Sequence, residues 1–363
     1  MRYVSAEVTS QARVSGTITR VAGIPSVPPP FPAQPPPDVQ NTGDDGPATE
    51  AQLSQPQALA VTLDGGFLVG SPPVVRKVSA AGVISTVAGN GTFGTSGDDG
   101  PAIEAQLGRI DSLAITRDGG FLVADSDAGV VREVSVAGVI RRVAGSGVFG
   151  SGGDDGLALE APFRSPEAVA VMTDGGFLIA DSGNNVVRRV SPDGIITRAA
   201  GTGTPGHSGD DGLAVEAQLK LPSGLAIFQD GSFLIADSGN SVVRRVSPDG
   251  VITRVAGTGS QGSPGDDGPA TEAQLFEPQA LSLSADGGFL ILQGNSIVRK
   301  VAPAGTISRV AGTGTPAGSG VDLGDDGPAT EARFVELFDL VTTHDGGLLL
   351  SDIGAHVVRK VWP

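Results

Sequence analysis

Most of the chain is written in apolar runs of about five residues, each closed by a break rich in Gly, Pro or Asp. One stretch shows the pattern in full: Gly224-Leu-Ala-Ile-Phe, Ser232-Phe-Leu-Ile-Ala, Val242-Val-Arg-Arg-Val and Val251-Ile-Thr-Arg-Val. Between the first two runs, Asp230-Gly231 supplies the positive φ that a tight hairpin needs. Between the last two, Ser247-Pro-Asp-Gly250 turns the chain with a fixed Pro φ and a permissive Gly. Asp237-Ser-Gly-Asn240 breaks the middle. Runs this short, β-branched and evenly punctuated predict four antiparallel strands, lettered A to D here, and argue against βαβ units.

The pattern repeats. Gly-Asp-Asp-Gly begins at Gly43, Gly97, Gly153, Gly209, Gly265 and Gly324, at steps of 54 to 59 residues. A unit of this kind cannot bury its apolar faces alone, so the units must stack around a shared core. Six four-stranded units predict an all-β fold, a six-bladed β-propeller. Strand D recurs at Gly16–Gly23, Gly82–Gly89, Gly138–Gly145, Gly194–Gly201, Gly250–Gly257 and Gly305–Gly312. The chain stops just after a C run, Val357-Val-Arg-Lys-Val. The first D copy, at the front of the chain, is therefore expected to complete the last blade and close the ring. After each D comes a long connection containing a segment such as Pro269-Ala-Thr-Glu-Ala-Gln-Leu275, expected to form one helical turn capped by Asp267 or Gly268. Residues 1–15 match nothing in the repeat and read as an N-terminal extension; residues 16–363 read as one propeller.

Composition narrows the function classes. The net charge of −16 disfavours nucleic acid, whose phosphates call for a Lys/Arg stripe. The absence of cysteine removes disulfides, thiolate metal sites and a cysteine nucleophile. No apolar run approaches the ~18 residues of a membrane span, and Met1 to Arg20 holds no apolar core of a signal peptide.

The runs Pro222-Ser-Gly-Leu-Ala, Asp230-Gly, Phe233-Leu-Ile-Ala-Asp237-Ser-Gly-Asn240 and Val243-Arg-Arg-Val resemble the NHL repeat. With the inserted Gly-Asp-Asp-Gly-Pro-Ala-Thr-Glu-Ala-Gln-Leu they resemble its bacterial variety, also similar to the NHL propeller of teneurins. The resemblance runs from Gly16 to the end. It departs at the third motif position, where the family more often has Gly and this chain has Asp45, Asp99, Asp155, Asp211, Asp267 and Asp326. It implies the propeller fold, slightly favours an extracellular or cell-surface setting, and leaves activity open among protein binders, RNA binders and some enzymes.

In such a ring the D-to-A and B-to-C loops emerge on one face, the loop-rich one, where function is expected. The Asp pairs are expected there, either drawing calcium or a basic partner or, more simply, capping the following turn. Arg76, Arg132, Arg188, Arg244, Arg299 and Arg359 recur on strand C, and an ion pair with the Asp ending strand B (Asp125, Asp181, Asp237, Asp352) is expected. Blades one and five carry Ser71 and Gln293 instead, so the Arg must serve something else as well. Phe67, Phe121, Phe177, Phe233 and Phe289, with Leu348 in the sixth unit, read as core. His207, His344 and His356 fall on separate loops and make no metal cluster, and no Gly-x-Ser-x-Gly elbow with a His partner stands out.

Symmetry fails informatively at the channel mouth. Seven residues before each A-to-B Asp stand Gln57, Asp111, Glu167, Ser223, Gln279 and Phe338. The next position is small in five units (Ala58, Ser112, Ala168, Gly224, Ala280) and Asp339 in the sixth. The connections into units one and six are the longest, the first rich in Pro from Pro25 to Pro37. A ligand notch between blades six and one, lined by Asp339, Gln57 and the Pro-rich loop, is one expectation. The candidate binding residues are Gln57, Asp111, Glu167, Gln279, Phe338 and Asp339. The leading reading is a rigid, monomeric binding module offering its acidic, loop-rich face to a protein, glycan or small molecule. No cofactor is expected, with calcium or another divalent cation as the open alternative. The second reading is a lyase or hydrolase using Asp111, Glu167 and Asp339, or a bound cation, at the channel mouth.

Overall fold

The computed structural model describes residues 16–25, 41–317 and 322–363. The expected N-terminal extension and the stretch from Pro28 to Pro37 lie outside the described residues. Six antiparallel sheets stand around a central axis, each in the order A-B-C-D. Strand A, the first of each blade, is Leu59–Val61, Ile110–Ile115, Pro166–Val171, Pro222–Ile227, Pro278–Leu283 and Leu337–Thr342.

Ring closure follows the expectation. Ile18–Ala22 pairs with Val357–Val361 as the outer strand of blade six, with Ile18 opposite Val361 and Thr19 opposite Lys360. Trp362 Nε1 donates to Thr19 Oγ1 at 2.9 Å, adding a side-chain clasp at the joint. The core lies between blades rather than within them. The blade six to blade one cluster, with Ala22, Leu59, Phe67, Val69, Leu349 and Val358, is filled like the other five, so the seam buries apolar surface as any joint does. The strand B phenylalanines are buried, as expected.

The Asp pairs are placed differently from expectation. Each motif folds back along the outer strand of its own blade instead of ringing the loop-rich face. Asp211 N–H donates to Ile252 O at 2.7 Å, and Leu213 bridges to Val251; in blades two and three the contact lengthens into the two-residue strands Gly100–Pro101 and Gly156–Leu157. The second Asp holds φ near 65° in every copy, from Asp45 to Asp326. That left-handed conformation explains why Gly suits the position and Asp is tolerated there. The predicted helical turn forms in five units as a short 3-10 turn such as Ala270–Glu272, preceded by Pro269, with no capping side-chain hydrogen bond. Neither Asp267 nor Gly268 caps it.

The first Asp is the constant partner of the strand C arginine. Arg244, 1% exposed, donates from Nε to Asp210 Oδ1 (2.9 Å) and from its terminal nitrogens to Gln218 O and Ser208 O. The same pairing joins Arg76 to Asp44, Arg132 to Asp98, Arg188 to Asp154, Arg299 to Asp266 and Arg359 to Asp325. The expected pairing with the Asp ending strand B is met in blades three and four, as a longer second contact of the arginine. Asp181 and Asp237 lie 3.5 and 3.6 Å from Arg188 and Arg244, while Asp125 and Asp352 accept backbone N–H groups of the adjoining loops. Blades one and five can therefore lose the strand B Asp and keep the Arg.

Candidate functional site

In five blades strand A begins with a β-bulge. The partner of Ile110 is Asp125 and that of Ser112 is Ala124, so Asp111 is an extra residue with no opposite number. Glu167, Ser223, Gln279 and Phe338 are the extra residues of blades three to six. A bulge re-aims one side chain out of the pleat. Here all five turn toward the axis and line one cavity of about 200 Å³ at the channel mouth, with Asp339 beside Phe338. Val169, Leu225 and Leu281 give it an apolar lining.

Five of the six candidate residues thus share one cavity. Gln57 is not among its lining residues. It is buried at the blade six to blade one joint, where its carbonyl accepts from Ser351 Oγ at 2.7 Å. Asp339 also spans that joint: Oδ2 accepts from Leu59 N–H of blade one (2.8 Å) and Oδ1 from Leu340 N–H (2.7 Å).

Arg109 belongs to the site and was not singled out from the sequence. It stands two residues before Asp111, in a column that elsewhere holds Gln55, Ser165, Leu221, Glu277 and Glu336. Its being the one cation in that column, close to an Asp, was the available signal. Arg109 Nε lies 2.7 Å from Asp111 Oδ1, and its guanidinium carbon lies 5.8 Å from the centre of the Phe338 ring. The side chain therefore reaches from blade two toward blade six, past blade one, which contributes nothing to the cavity lining.

Burial dominates the electrostatics. It raises Asp111 above the ordinary carboxylate range against the pull of the Ser126 hydroxyl and of Arg109. It pushes Glu167 up to about 7, helped by the neighbouring charge of Asp111. Asp339 rises to about 7 through burial, opposed by its two backbone donors and with no contribution from Asp111 or Glu167. The three carboxyls are therefore a coupled pair plus one separate group. A carboxyl poised near neutrality beside a second one can accept or release a proton at physiological pH. Among the described residues no three His, Cys, Asp or Glu side chains gather as metal ligands, and no helix is long and apolar enough to cross a membrane.

Six four-stranded blades with NHL-like punctuation and a shared closing blade define a class, the NHL-type six-bladed propeller. Known proteins agree at that level. Teneurin-1 of Mus musculus is 30% identical over 236 residues, and human Teneurin-4 is 32% identical over 233. These matches cover 58% and 57% of this chain but 8% of either teneurin, so the chain spans less than a tenth of the curated relatives it matches. Among solved structures, a Bacteroides thetaiotaomicron protein of unknown function superposes with a TM-score of 0.66 at 20% identity, covering 94% of this chain and 74% of its own. An auxiliary nutrient binding protein from the same organism gives 0.64 at 14% identity over 94% and 75%. A gluconolactonase from Xanthomonas campestris gives 0.56 at 11% over 96% and 98%. At these identities the structural likeness concerns the fold. No protein-family model matches the chain.

Proposed function

We propose that the protein is a rigid binding module whose channel mouth receives a small polar group, either a free small molecule or glycan or a side chain projecting from a protein partner. The observation that carries this reading is the set of five bulges. They send side chains of unlike chemistry into one cavity, while the outer blade is repeated and clamped by buried Arg–Asp pairs. A mostly preformed pocket with apolar lining and a few convergent polar groups is the usual form of a ligand site. The similarity to teneurins supports protein interaction as one source of the group.

The test is a calorimetric and thermal-shift screen with monosaccharides, aldonolactones, primary amines and dipeptides, run on wild type and a Glu167→Gln, Gln279→Leu double variant. A compound that raises the wild-type melting temperature by several degrees and the variant's by much less supports the site. Equal shifts in both proteins would move binding elsewhere and refute it.

A second reading, a hydrolase or lyase, is favoured by one observation: Glu167 near 7 beside Asp111 is suited to general acid–base work. Turnover of a lactone or ester panel that rises or falls through pH 7 and disappears in Glu167→Gln would establish it. Turnover unaffected by that change would reject Glu167 as the catalytic group.

A further inference from the structure

Resting on the binding reading above, we propose that the channel mouth selects an organic monocation with N–H donors, an ammonium or a guanidinium, and that Arg109 is the chain's own stand-in, displaced when that cation binds.

The argument starts from unpaired acceptors. Asp111 is 6% exposed, and although Arg109 Nε lies 2.7 Å from Oδ1 and the Ser126 hydroxyl stands nearby, neither carboxylate oxygen accepts a well-aligned hydrogen bond. Gln279 Oε1 is likewise buried without a donor. Buried polar atoms are nearly always paired, and an exception calls for an explanation. Both exceptions lining this cavity are acceptors, and the hydroxyl of Ser223 donates to the carbonyls of Pro278 and Gln279. The complementary ligand is therefore rich in donors.

The rim shows which donors. A guanidinium already sits there between a carboxylate and the face of Phe338, the combination that recognises organic cations. The Arg109 side chain is 49% exposed. The guanidinium end of the pair is half in water and poorly aligned, so a cation seated deeper against the buried carboxylate displaces it. Size and lining disfavour a hard metal ion. About 200 Å³ holds roughly six waters at about 30 Å³ each, enough for a charged head with a short methylene stem. Val169, Leu225 and Leu281 suit methylenes, whereas calcium requires six to eight oxygens.

The charged groups facing this position are Arg109, Asp111, Glu167, Asp339 and, from the loop after strand B of blade two, Asp127. A bound cation favours the ionised carboxylates, so affinity rises with pH through about 7, and binding below that releases a proton.

The experiment is isothermal titration with methylguanidinium and n-butylammonium chlorides, with calcium and magnesium chlorides and glucose as comparison arms, at matched ionic strength. It uses wild type, Arg109→Gln and Asp111→Asn, each checked for an intact melt, with Phe338→Leu in reserve if Asp111→Asn does not fold. Monocation affinity should rise about tenfold in Arg109→Gln and fall at least about tenfold in Asp111→Asn or Phe338→Leu. These opposite signs are the signature of a displaced internal cation. Monocations that bind neither wild type nor Arg109→Gln, or whose affinity ignores Asp111, overturn the proposal. Glucose binding that the Glu167→Gln, Gln279→Leu double variant loses, without cation binding, overturns the cation class and leaves the channel-mouth site standing. Binding by divalent ions alone overturns it in favour of a metal site, and silence in every arm removes both readings.

Discussion

Asp339→Ser should make the propeller more stable above neutral pH and less stable by about 1 kcal/mol in mild acid. Blade two supplies the template: Ser112 occupies the equivalent position, and its Oγ accepts the N–H of Val169 in the next blade at 3.2 Å. A serine at 339 can accept the N–H of Leu59 in the same way, without a charge. In wild type, burial holds the Asp339 carboxyl near 7, against 3.8 for the ordinary side chain. Between those values the folded protein retains a proton that the unfolded chain releases. Stability is therefore highest in acid and declines as pH rises from about 4 to about 7. At about 1.36 kcal/mol per unit, the part of this gap traversed between pH 4.5 and 8 corresponds to roughly 3 kcal/mol. Losing the hydrogen bond from Leu340 N–H adds a pH-independent cost of about 1 kcal/mol. The variant should gain about 3 kcal/mol relative to wild type on going from pH 4.5 to pH 8, about 4 °C in melting temperature for a chain of this size. Urea unfolding of both proteins at the two pH values measures it. Staying above pH 4.5 avoids the titration of Asp64 and Asp286, which hydrogen bonds from Lys77 and Lys300 hold down at about 2. A stability difference that is the same at both pH values would refute the argument that Asp339 carries a buried charge at neutrality.

Three further outcomes test the frame. Arg244→Met strands Asp210 and two carbonyls and should cost roughly 3–5 kcal/mol in denaturant unfolding; a loss below about 1 kcal/mol would show the clamp to be dispensable. Deleting residues 1–23 removes the outer strand of blade six and should sharply lower the melting temperature or leave the protein insoluble, whereas an unchanged melt would contradict closure by that strand. Asp211, at φ 65°, should tolerate Gly with a change of under about 1 kcal/mol and lose more than about 1 kcal/mol as Val; equal stabilities would mean the left-handed turn does not constrain the residue.

The architecture was legible because it is repeated. The Asp-Gly turn after strand A, the strand D run and Gly-Asp-Asp-Gly each recur six times, and such agreement across levels specifies a fold. Where one repeat offered two answers, the sequence reading chose the nearer partner. Arg244 has Asp237 at the end of the adjoining strand and Asp210 in the incoming loop, and only Asp210's column is occupied in all six blades. Ser71 and Gln293 already pointed to that column, since a partner absent from two blades cannot be what keeps the arginine in all six.

The site was half legible for a different reason. The column of Asp111, Glu167, Ser223, Gln279 and Phe338 can be found by counting from a turn, but a bulge is a mismatch between two strands, and neither strand's own pattern records it. Those unpaired residues are what the bulges turn into the channel mouth. Arg109 was hidden because it lies outside that column and acts across the ring, over the blade that gives the cavity nothing. A six-fold repeat can build a rigid wall from identical parts, but a ligand that is not six-fold needs different groups on different sides. Arg109, Asp111, Phe338 and Asp339 are such departures and sit on the two blades flanking blade one, whereas the Gly-Asp-Asp-Gly carboxylates, the more conspicuous acidic feature, recur unchanged and are tied to the outer strands of each blade. For this chain the chemistry is to be sought where the repeat breaks.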